Sequence, residues 1–177
     1  VRFILTTNSP GQPEDFPLLS TPMAYGGMVT APHHLAAQAG RDVLREGGNA
    51  IEAMVAAAAS IAVLYPHMNG IGGDGFWLIH RPGVQPVAID ACGAAAGLAT
   101  ADFYRTLGLP SIPSRGPLAA NTVAGTISGW RMALDLAKRW GARLPLQRLL
   151  APAVEHARDG IAVTASQSAL TAEKLIE

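Results

Sequence analysis

Hydrophobic positions between His33 and Tyr65 predict two helices that follow each other closely. Apolar residues recur near helical spacing between His33 and Glu46. Gly47 and Gly48 end this pattern, since glycine tolerates the left-handed conformation of a helix C-cap. Asn49 is a suitable N-cap for the second helix, and Glu52, three residues on, completes a capping-box pair.

The second predicted helix is apolar on every face from Ala53 to Tyr65, and Pro66 ends it. Such a pattern is typical of a helix that is enclosed on all sides. The run is shorter than the ~20 residues that a membrane span needs, so we expect a buried helix and no membrane partner.

The next part of the chain predicts a pair of strands. A glycine-rich loop over Asn69–Gly75 is followed by apolar runs at Phe76–His80 and Pro86–Ala91. Both runs are almost continuously apolar, which predicts a sheet covered on both faces. Gly26–Val29 predicts a further short strand entered through glycines.

The remaining pattern is mainly helical. Thr100 is the predicted start of a short helix, and the proline-rich residues 109–124 are predicted as a loop. A helix with one apolar side is predicted from Gly125 to Trp140. Another is expected over Leu146–Arg158, where Pro152 either kinks the helix or marks its true first turn. A last helix begins at Thr164 and is expected to run to the last residue.

Composition narrows the classes of partner. The chain has 13 Lys and Arg against 13 Asp and Glu, and 15% of its residues are charged against 49% hydrophobic. A balanced charge gives no general attraction to nucleic acid or to an anionic membrane. Because an ordinary domain has about 25% charged residues, we expect surface that is covered by the rest of a larger assembly.

Cofactor and metal sites are not predicted. The loop "GIGGDG" lies between a helix and a strand, whereas a phosphate-binding loop follows a strand and opens a helix. The histidines lack the spacing of a zinc helix, and the single cysteine excludes a disulfide framework or a cysteine-based zinc site. The histidines considered as metal ligands are four of the five in the chain, His33, His34, His67 and His80.

Two residues at the end of the second strand are candidates for chemistry. Cys92 is either a nucleophile with a base nearby or a small buried thiol, and the second interpretation is favoured. Asp90 is expected to accept hydrogen bonds from nearby backbone amides or to belong to a site. The residue pattern leaves these two alternatives open.

The chain resembles the N-terminal part of the gamma-glutamyltranspeptidase family over about residues 26–163. The matching segments, in the family's order and spacing, are GGMVTAPHHLAAQAG, VLREGGNAIEAMVAAAASIAVLYP, NGIGGDGFWLI, VAIDA, VAGTISGW and LLAPAVEHARDGIAV. The resemblance implies an α+β fold, the αββα sandwich of N-terminal-nucleophile hydrolases, which is incomplete in this chain. Residues 1–25 are then an irregular N-terminal arm, and residues 26–177 are a partial large-subunit domain.

The resemblance also implies a precursor that cleaves itself and so exposes a threonine nucleophile on a small subunit. No catalytic residue is then expected in this chain. The implied partners are the small subunit, the rest of the large subunit and a small-molecule amide substrate, and two such heterodimers are expected to pair. No cofactor is implied. We expect a cytoplasmic location, or a periplasmic one if a signal peptide was removed.

One motif departs from the family and bears on the substrate. Where family members carry Asp-x-Arg-Glu after the second strand, Asp90 matches the aspartate, Cys92 replaces the arginine and Gly93 replaces the glutamate. The resemblance assigns these three residues to substrate binding. Cysteine cannot form the bidentate, charge-assisted bond that arginine makes with a substrate carboxylate.

The glycine-rich loop also differs from the family pattern, because Asp74 and Trp77 replace a glycine and a smaller apolar residue. The sequence therefore resembles an atypical branch of the family that includes oxamate amidohydrolases. We expect an enzyme that hydrolyses a small amide. The alternatives are a gamma-glutamyltransferase or glutathione hydrolase, and a non-catalytic scaffold or ligand-binding homologue.

Overall fold

Two helices packed against each other form the centre of the computed structural model, which describes residues 21–120 and 122–174. Helix α1 spans His34–Arg45 and helix α2 spans Ala50–Leu64. A Cβ atom at Gly40 would lie 2.8 Å from the carbonyl oxygen of Ala53. Glycine at this position therefore lets the two backbones approach closely.

Both predicted helices are confirmed, with α2 buried along nearly its whole length. The strand predicted at Gly26–Val29 is wrong, because this segment forms no strand in the structure. Of the predicted N-terminal arm, residues 1–20 lie outside the described residues, and residues 21–25 have no regular secondary structure.

The start of α2 has the predicted capping box. Asn49 Oδ1 accepts hydrogen bonds from the backbone N–H groups of Ile51 and Glu52 at 3.0 and 3.1 Å. Glu52 Oε2 in turn accepts one from the backbone N–H of Asn49 at 2.7 Å. These bonds satisfy amides that the first turn of a helix leaves without partners.

The second carboxylate oxygen of Glu52 reaches a distant part of the chain. Glu52 Oε1 accepts hydrogen bonds from the backbone N–H groups of Arg143 and Leu144 at 2.9 and 2.7 Å. The residue is only 1% exposed. A single buried carboxylate thus holds the loop between two later helices against the beginning of α2.

A short 3-10 helix lies at Pro117–Ala119 within the predicted loop, and four further α-helices complete the helical part of the described chain. They are α3 (Ala101–Thr106), α4 (Thr126–Arg139), α5 (Leu146–Asp159) and α6 (Ala165–Lys174). The first three agree with the predicted helices to within a few residues. Pro152 lies inside α5, so the interpretation that it marks the first turn is wrong. The predicted end of the last helix, residues 175–177, lies outside the described residues.

The two predicted strands form one antiparallel hairpin. Strand β1 (Gly75–Ile79) pairs with β2 (Val87–Ala91), and Trp77 lies opposite Ile89. One face of the hairpin packs against α4. On the other face Phe76 is 72% and Leu78 80% exposed.

The prediction that both faces of the sheet are covered is therefore wrong for the described part of the chain. The side chains alternate between the two faces, as in any strand. The outer face is largely apolar, with Phe76 and Leu78 on it, although no described residue covers it. None of the helices in the described ranges is both long enough and apolar enough to cross a membrane.

A histidine caps the start of α1. His33 Nδ1 accepts a hydrogen bond from the backbone N–H of Leu35 at 3.2 Å, and the residue is 7% exposed. Burial lowers the pKa of His33 below its ordinary value of 6.5, and the charges of His34 and His156 lower it further. The cap needs the neutral imidazole, because a protonated Nδ1 has no lone pair to accept the bond.

Replacement of Glu52 by glutamine should lower the free energy of unfolding by about 2 kcal/mol. The amide group has one oxygen, whereas three backbone N–H groups on two sides now point at carboxylate oxygens. Urea denaturation of the purified protein measures this loss. Glu155→Gln is the matched control, because Glu155 is exposed. Equal unfolding free energies of the two variants would contradict the role assigned to Glu52.

Acidification should destabilise the fold through His33. As the pH falls through about 6.5, the unfolded chain takes up a proton that the folded chain resists. The free energy of unfolding therefore decreases until the lowered pKa of the folded state is reached. His33→Asn keeps a good N-cap without the titration, so its unfolding free energy should fall less between pH 7 and pH 5. Urea denaturation across this range tests the difference, with His80→Asn as control, and an unchanged pH dependence in His33→Asn would refute it.

Candidate functional site

Three chain segments meet at one end of the hairpin. The carbonyl oxygen of Gly73 accepts hydrogen bonds from the backbone N–H groups of Gly125 and Thr126 at 2.9 and 3.0 Å. The hydroxyl of Thr126 donates to the carbonyls of Gly73 and Asp74 at 2.8 and 2.9 Å. The glycine-rich loop is thereby fixed to the beginning of α4.

The end of β2 joins the same structure through close backbone contacts. The backbone N–H of Val123 donates to the carbonyl of Ala94 at 3.0 Å. A Cβ atom at Gly93 would lie 1.4 Å from the carbonyl oxygen of Val123, and one at Gly125 would lie 2.0 Å from the carbonyl oxygen of Ala91. Only glycine allows these approaches without movement of the backbone.

We call this arrangement the junction; it consists of residues 73–75, 91–95 and 122–126. A side chain at position 93 would separate two of its segments. The glutamate that the family motif has at this position is therefore excluded here by the backbone, and the departure at Gly93 is more than a change of side-chain chemistry.

The predicted site residues come together at the junction, where Asp74 bonds to Cys92 and Gly93, and Asp90 lies one residue before it in β2. Asp74 Oδ1 accepts a hydrogen bond from the backbone N–H of Gly93 at 2.9 Å, and the thiol of Cys92 donates to Asp74 Oδ2 at 3.3 Å. Asp90 Oδ1 accepts from the backbone N–H of Cys92 at 2.9 Å. The structure thus places Asp90, Cys92 and Gly93 within one hydrogen-bonded turn.

Asp74 also belongs to the site, although the residue pattern did not assign it there. Its replacement of a glycine in the family pattern was the available signal, but the spacing of 18 residues from Cys92 does not predict a contact. The hairpin register supplies it, because Gly75 lies opposite Ala91 and so aligns the residues just outside both strand ends.

Cys92 does not have the environment of an activated nucleophile. Its side chain is exposed, so the favoured interpretation as a buried thiol is wrong. The hydrogen bond to Asp74 is the largest cause that raises the pKa of the thiol, and partial desolvation by neighbouring atoms and the charges of Asp74 and Asp90 raise it further. A reactive cysteine needs the opposite, an environment that favours the thiolate.

A cleft of about 240 Å³ adjoins the junction. Asp74 lines it together with the aromatic rings of Trp77 and Trp130 and the side chain of Met54. No arginine, lysine or histidine is among the described residues that line it. The cleft therefore combines apolar walls with the polar residues Asn69, Asp74 and Thr126 and, among the described residues that line it, offers no basic group to an anionic ligand.

Four of the histidines lie in three places, because the rings of His33 and His34 stack with their centroids 4.6 Å apart. His33 caps α1, the ring of His67 lies 4.1 Å from that of Tyr65, and His80 lines another cavity at the opposite end of the hairpin. Within residues 21–120 and 122–174, no three His, Cys, Asp or Glu side chains are placed to hold a metal ion.

The family model and the relatives similar in sequence identify the same family. The model of the gamma-glutamyltranspeptidase family matches residues 36–176. The chain is 62% identical to the oxamate amidohydrolase proenzyme of Klebsiella pneumoniae, over 85% of this chain and 28% of that protein. It is 43% identical to the glutathione hydrolase-like YwrD proenzyme of Bacillus subtilis, over 85% of this chain and 27% of that protein. The chain thus spans less than a third of the length of these relatives.

The solved structures agree with the sequence relatives. The gamma-glutamyltranspeptidase of Helicobacter pylori superposes with a TM-score of 0.76 at 33% identity, over 86% of this chain and 43% of that one. The cephalosporin acylase of Bacillus halodurans superposes with a TM-score of 0.71 at 33% identity, over 88% of this chain and 29% of that one.

Gly93→Ala should destabilise the junction by about 1–3 kcal/mol, the range for extra atoms forced into a well-packed site. Its Cβ must displace the carbonyl group of Val123. Gly97→Ala is the matched control, since nothing lies within 4 Å of a Cβ at that position. Urea denaturation of both variants measures the difference. Equal unfolding free energies would show that the two segments do not approach as closely as described.

Proposed function

Because this chain belongs to the gamma-glutamyltranspeptidase family, we propose that it is part of the large subunit of a self-processing amidohydrolase. Its fold is α+β, a partial αββα sandwich of the N-terminal-nucleophile hydrolases. The proposed enzyme cleaves a small amide through a threonine on a small subunit. The nucleophile lies outside this chain.

The proposed reaction proceeds in two steps. The threonine hydroxyl attacks the amide carbonyl, and the threonine's own α-amine accepts the proton as general base. Backbone N–H groups stabilise the oxyanion, and the amine or ammonia leaves with a proton. Water then hydrolyses the ester and restores the threonine. This chain contributes the junction and the adjoining cleft, which form one wall of the proposed substrate site.

The arrangement of Asp74, Cys92 and Gly93 is the observation that carries the choice of substrate class. A guanidinium that could hold a gamma-glutamyl carboxylate is replaced by a thiol that donates to a carboxylate. The site therefore lacks the bidentate donor that suits such a substrate. The relative that is 62% identical is named an oxamate amidohydrolase, which supports a small amide such as oxamate. Oxamate also carries a carboxylate, which groups other than Cys92 must then bind.

The uncovered face of the hairpin supports the proposed partners. Phe76 and Leu78 are exposed next to each other in the sheet, although burial of such side chains is favourable. We assign this face to contacts with the small subunit and the rest of the large subunit. The low proportion of charged residues fits the same assignment.

A glutathione hydrolase is the second candidate function. The observation in its favour is similarity, since relatives named glutathione hydrolases are up to 39% identical, among them that of Escherichia coli. Such an activity would need a carboxylate-binding group from outside this chain, because Cys92 cannot supply one.

The test uses the full two-subunit protein. We expect it to hydrolyse oxamate to oxalate and ammonia, and to release p-nitroaniline from gamma-glutamyl-p-nitroanilide slowly or not at all. Mass spectrometry should find a small subunit that begins with threonine. Its replacement by alanine should abolish both self-cleavage and hydrolysis.

Two outcomes would contradict the proposal. Rapid gamma-glutamyl transfer to a dipeptide would favour the glutathione-type function. A full-length product that stays uncleaved and hydrolyses neither substrate would favour a non-catalytic homologue.

A further inference from the structure

We propose that the cavity at the turn end of the hairpin binds a small organic carboxylate. The cavity has a volume of about 320 Å³ and lies at the opposite end of the hairpin from the junction. Small-molecule sites in proteins have volumes of about 300–1,000 Å³. We call it the turn cavity; the residues that line it are Asn49, Ala50, Ile51, Ile79, His80, Arg81, Pro82 and Trp140.

The inner wall of the turn cavity is apolar. Ile51 and Ile79 are buried members of one hydrophobic cluster, and the ring of Trp140 packs against that cluster. These side chains come from the beginning of α2, the end of β1 and the C-cap of α4. Because three elements of the core hold the wall, it offers a fixed apolar surface to the body of an organic molecule.

One basic side chain of the cavity is held in place and has no acidic partner. The carbonyl oxygen of Arg81 accepts the backbone N–H of Val84 at 3.0 Å, which closes the hairpin turn. The guanidinium carbon of Arg81 lies over the ring of Trp140, 5.5 Å from the ring centroid. No Asp or Glu of the described residues forms an ion pair with it. Contact with the ring uses the face of the guanidinium, so the N–H groups at its edge remain available for a bidentate bond with a carboxylate.

An amide donor of the same cavity also lacks an acceptor. Asn49 Oδ1 accepts the backbone N–H groups of Ile51 and Glu52, which fixes the side-chain amide. Its Nδ2 is buried and has no hydrogen-bond partner among the described residues. A buried donor without an acceptor is unfavourable, and we assign this donor to an oxygen of the ligand. His80 adds a ring N–H, which an imidazole carries in either protonation state.

The nearby carboxylate of Glu52 belongs to a different cavity. Its oxygens accept the backbone N–H groups of Asn49, Arg143 and Leu144. The described residues that line the turn cavity therefore include a guanidinium, an imidazole and an amide but no acidic group. An apolar wall with a few such donors suits an organic anion.

Isothermal titration calorimetry of the full-length protein at constant ionic strength tests the proposal, with benzoate as the probe. Benzoate combines a flat apolar ring with a carboxylate, and benzamide has nearly the same shape without the charge. We expect benzoate to bind with a dissociation constant of about 1 mM or lower, as is usual for so small a ligand. Benzamide and inorganic phosphate should bind about ten-fold more weakly, because each lacks one of the two features that the cavity recognises.

Two substitutions should weaken this binding and keep the fold. Arg81→Gln removes the charge of an exposed side chain and should weaken benzoate binding about ten-fold. Asn49→Asp keeps a good N-cap but replaces the unpaired N–H donor by a carboxylate oxygen, and should weaken binding by at least as much. Arg158→Gln, at an exposed position of α5, is the matched control and should bind benzoate like the wild type. Circular dichroism verifies that each variant is folded.

Chemical modification locates the ligand without any variant. Phenylglyoxal modifies accessible guanidinium groups, and peptide mapping by mass spectrometry gives the rate at each arginine. Benzoate at ten times its dissociation constant should slow the modification of Arg81 about ten-fold and leave that of Arg158 unchanged.

Several results would overturn the proposal. Equal affinity of the wild type and Arg81→Gln for benzoate, or no protection of Arg81, would show that the carboxylate does not bind in the turn cavity. Equal binding of benzamide would refute recognition of the charge, and phosphate bound as tightly as benzoate would refute an organic ligand. None of these measurements uses catalysis, so they are independent of whether the protein hydrolyses an amide.

Discussion

The fold depends on the buried carboxylate of Glu52. It accepts hydrogen bonds from three backbone N–H groups, one at the N-cap Asn49 of α2 and two in the loop between α4 and α5. A buried charge is stable only when hydrogen bonds compensate the loss of water, and here backbone groups supply all of them. Since α4 carries the hairpin and begins at the junction, the position of the candidate site follows from this contact between residues far apart in sequence.

Local sequence signals predicted the helices well because each has a local physical cause. Asn49 and Glu52 form a capping box within three residues, and Thr100 caps α3 through a bond to the amide of Phe103. The same reasoning failed for Gly26–Val29, where the glycines and apolar residues lack a neighbouring strand to pair with in the described chain. A strand needs such a partner, whereas a helix satisfies its own backbone.

The candidate site was predicted only in part. The family motif identified Asp90, Cys92 and Gly93, and the structure brings them into one turn. The bond between Asp74 and Cys92 and the close approach of Gly93 to Val123 depend on how segments about 20 and 30 residues apart meet. Such contacts follow from the hairpin register and the start of α4, which the residue pattern does not specify. Exposure of Phe76 and Leu78 was missed for a related reason, since an apolar pattern does not show which chain covers it.

The approach of Gly93 to Val123 also limits how this protein can evolve. Replacing Cys92 by arginine needs one substitution in an exposed turn, but the glutamate that follows it in the family motif cannot enter while Val123 keeps its place. Cys92→Arg alone would therefore not restore the family motif, because the next position stays closed to a side chain until the loop that carries Val123 also moves.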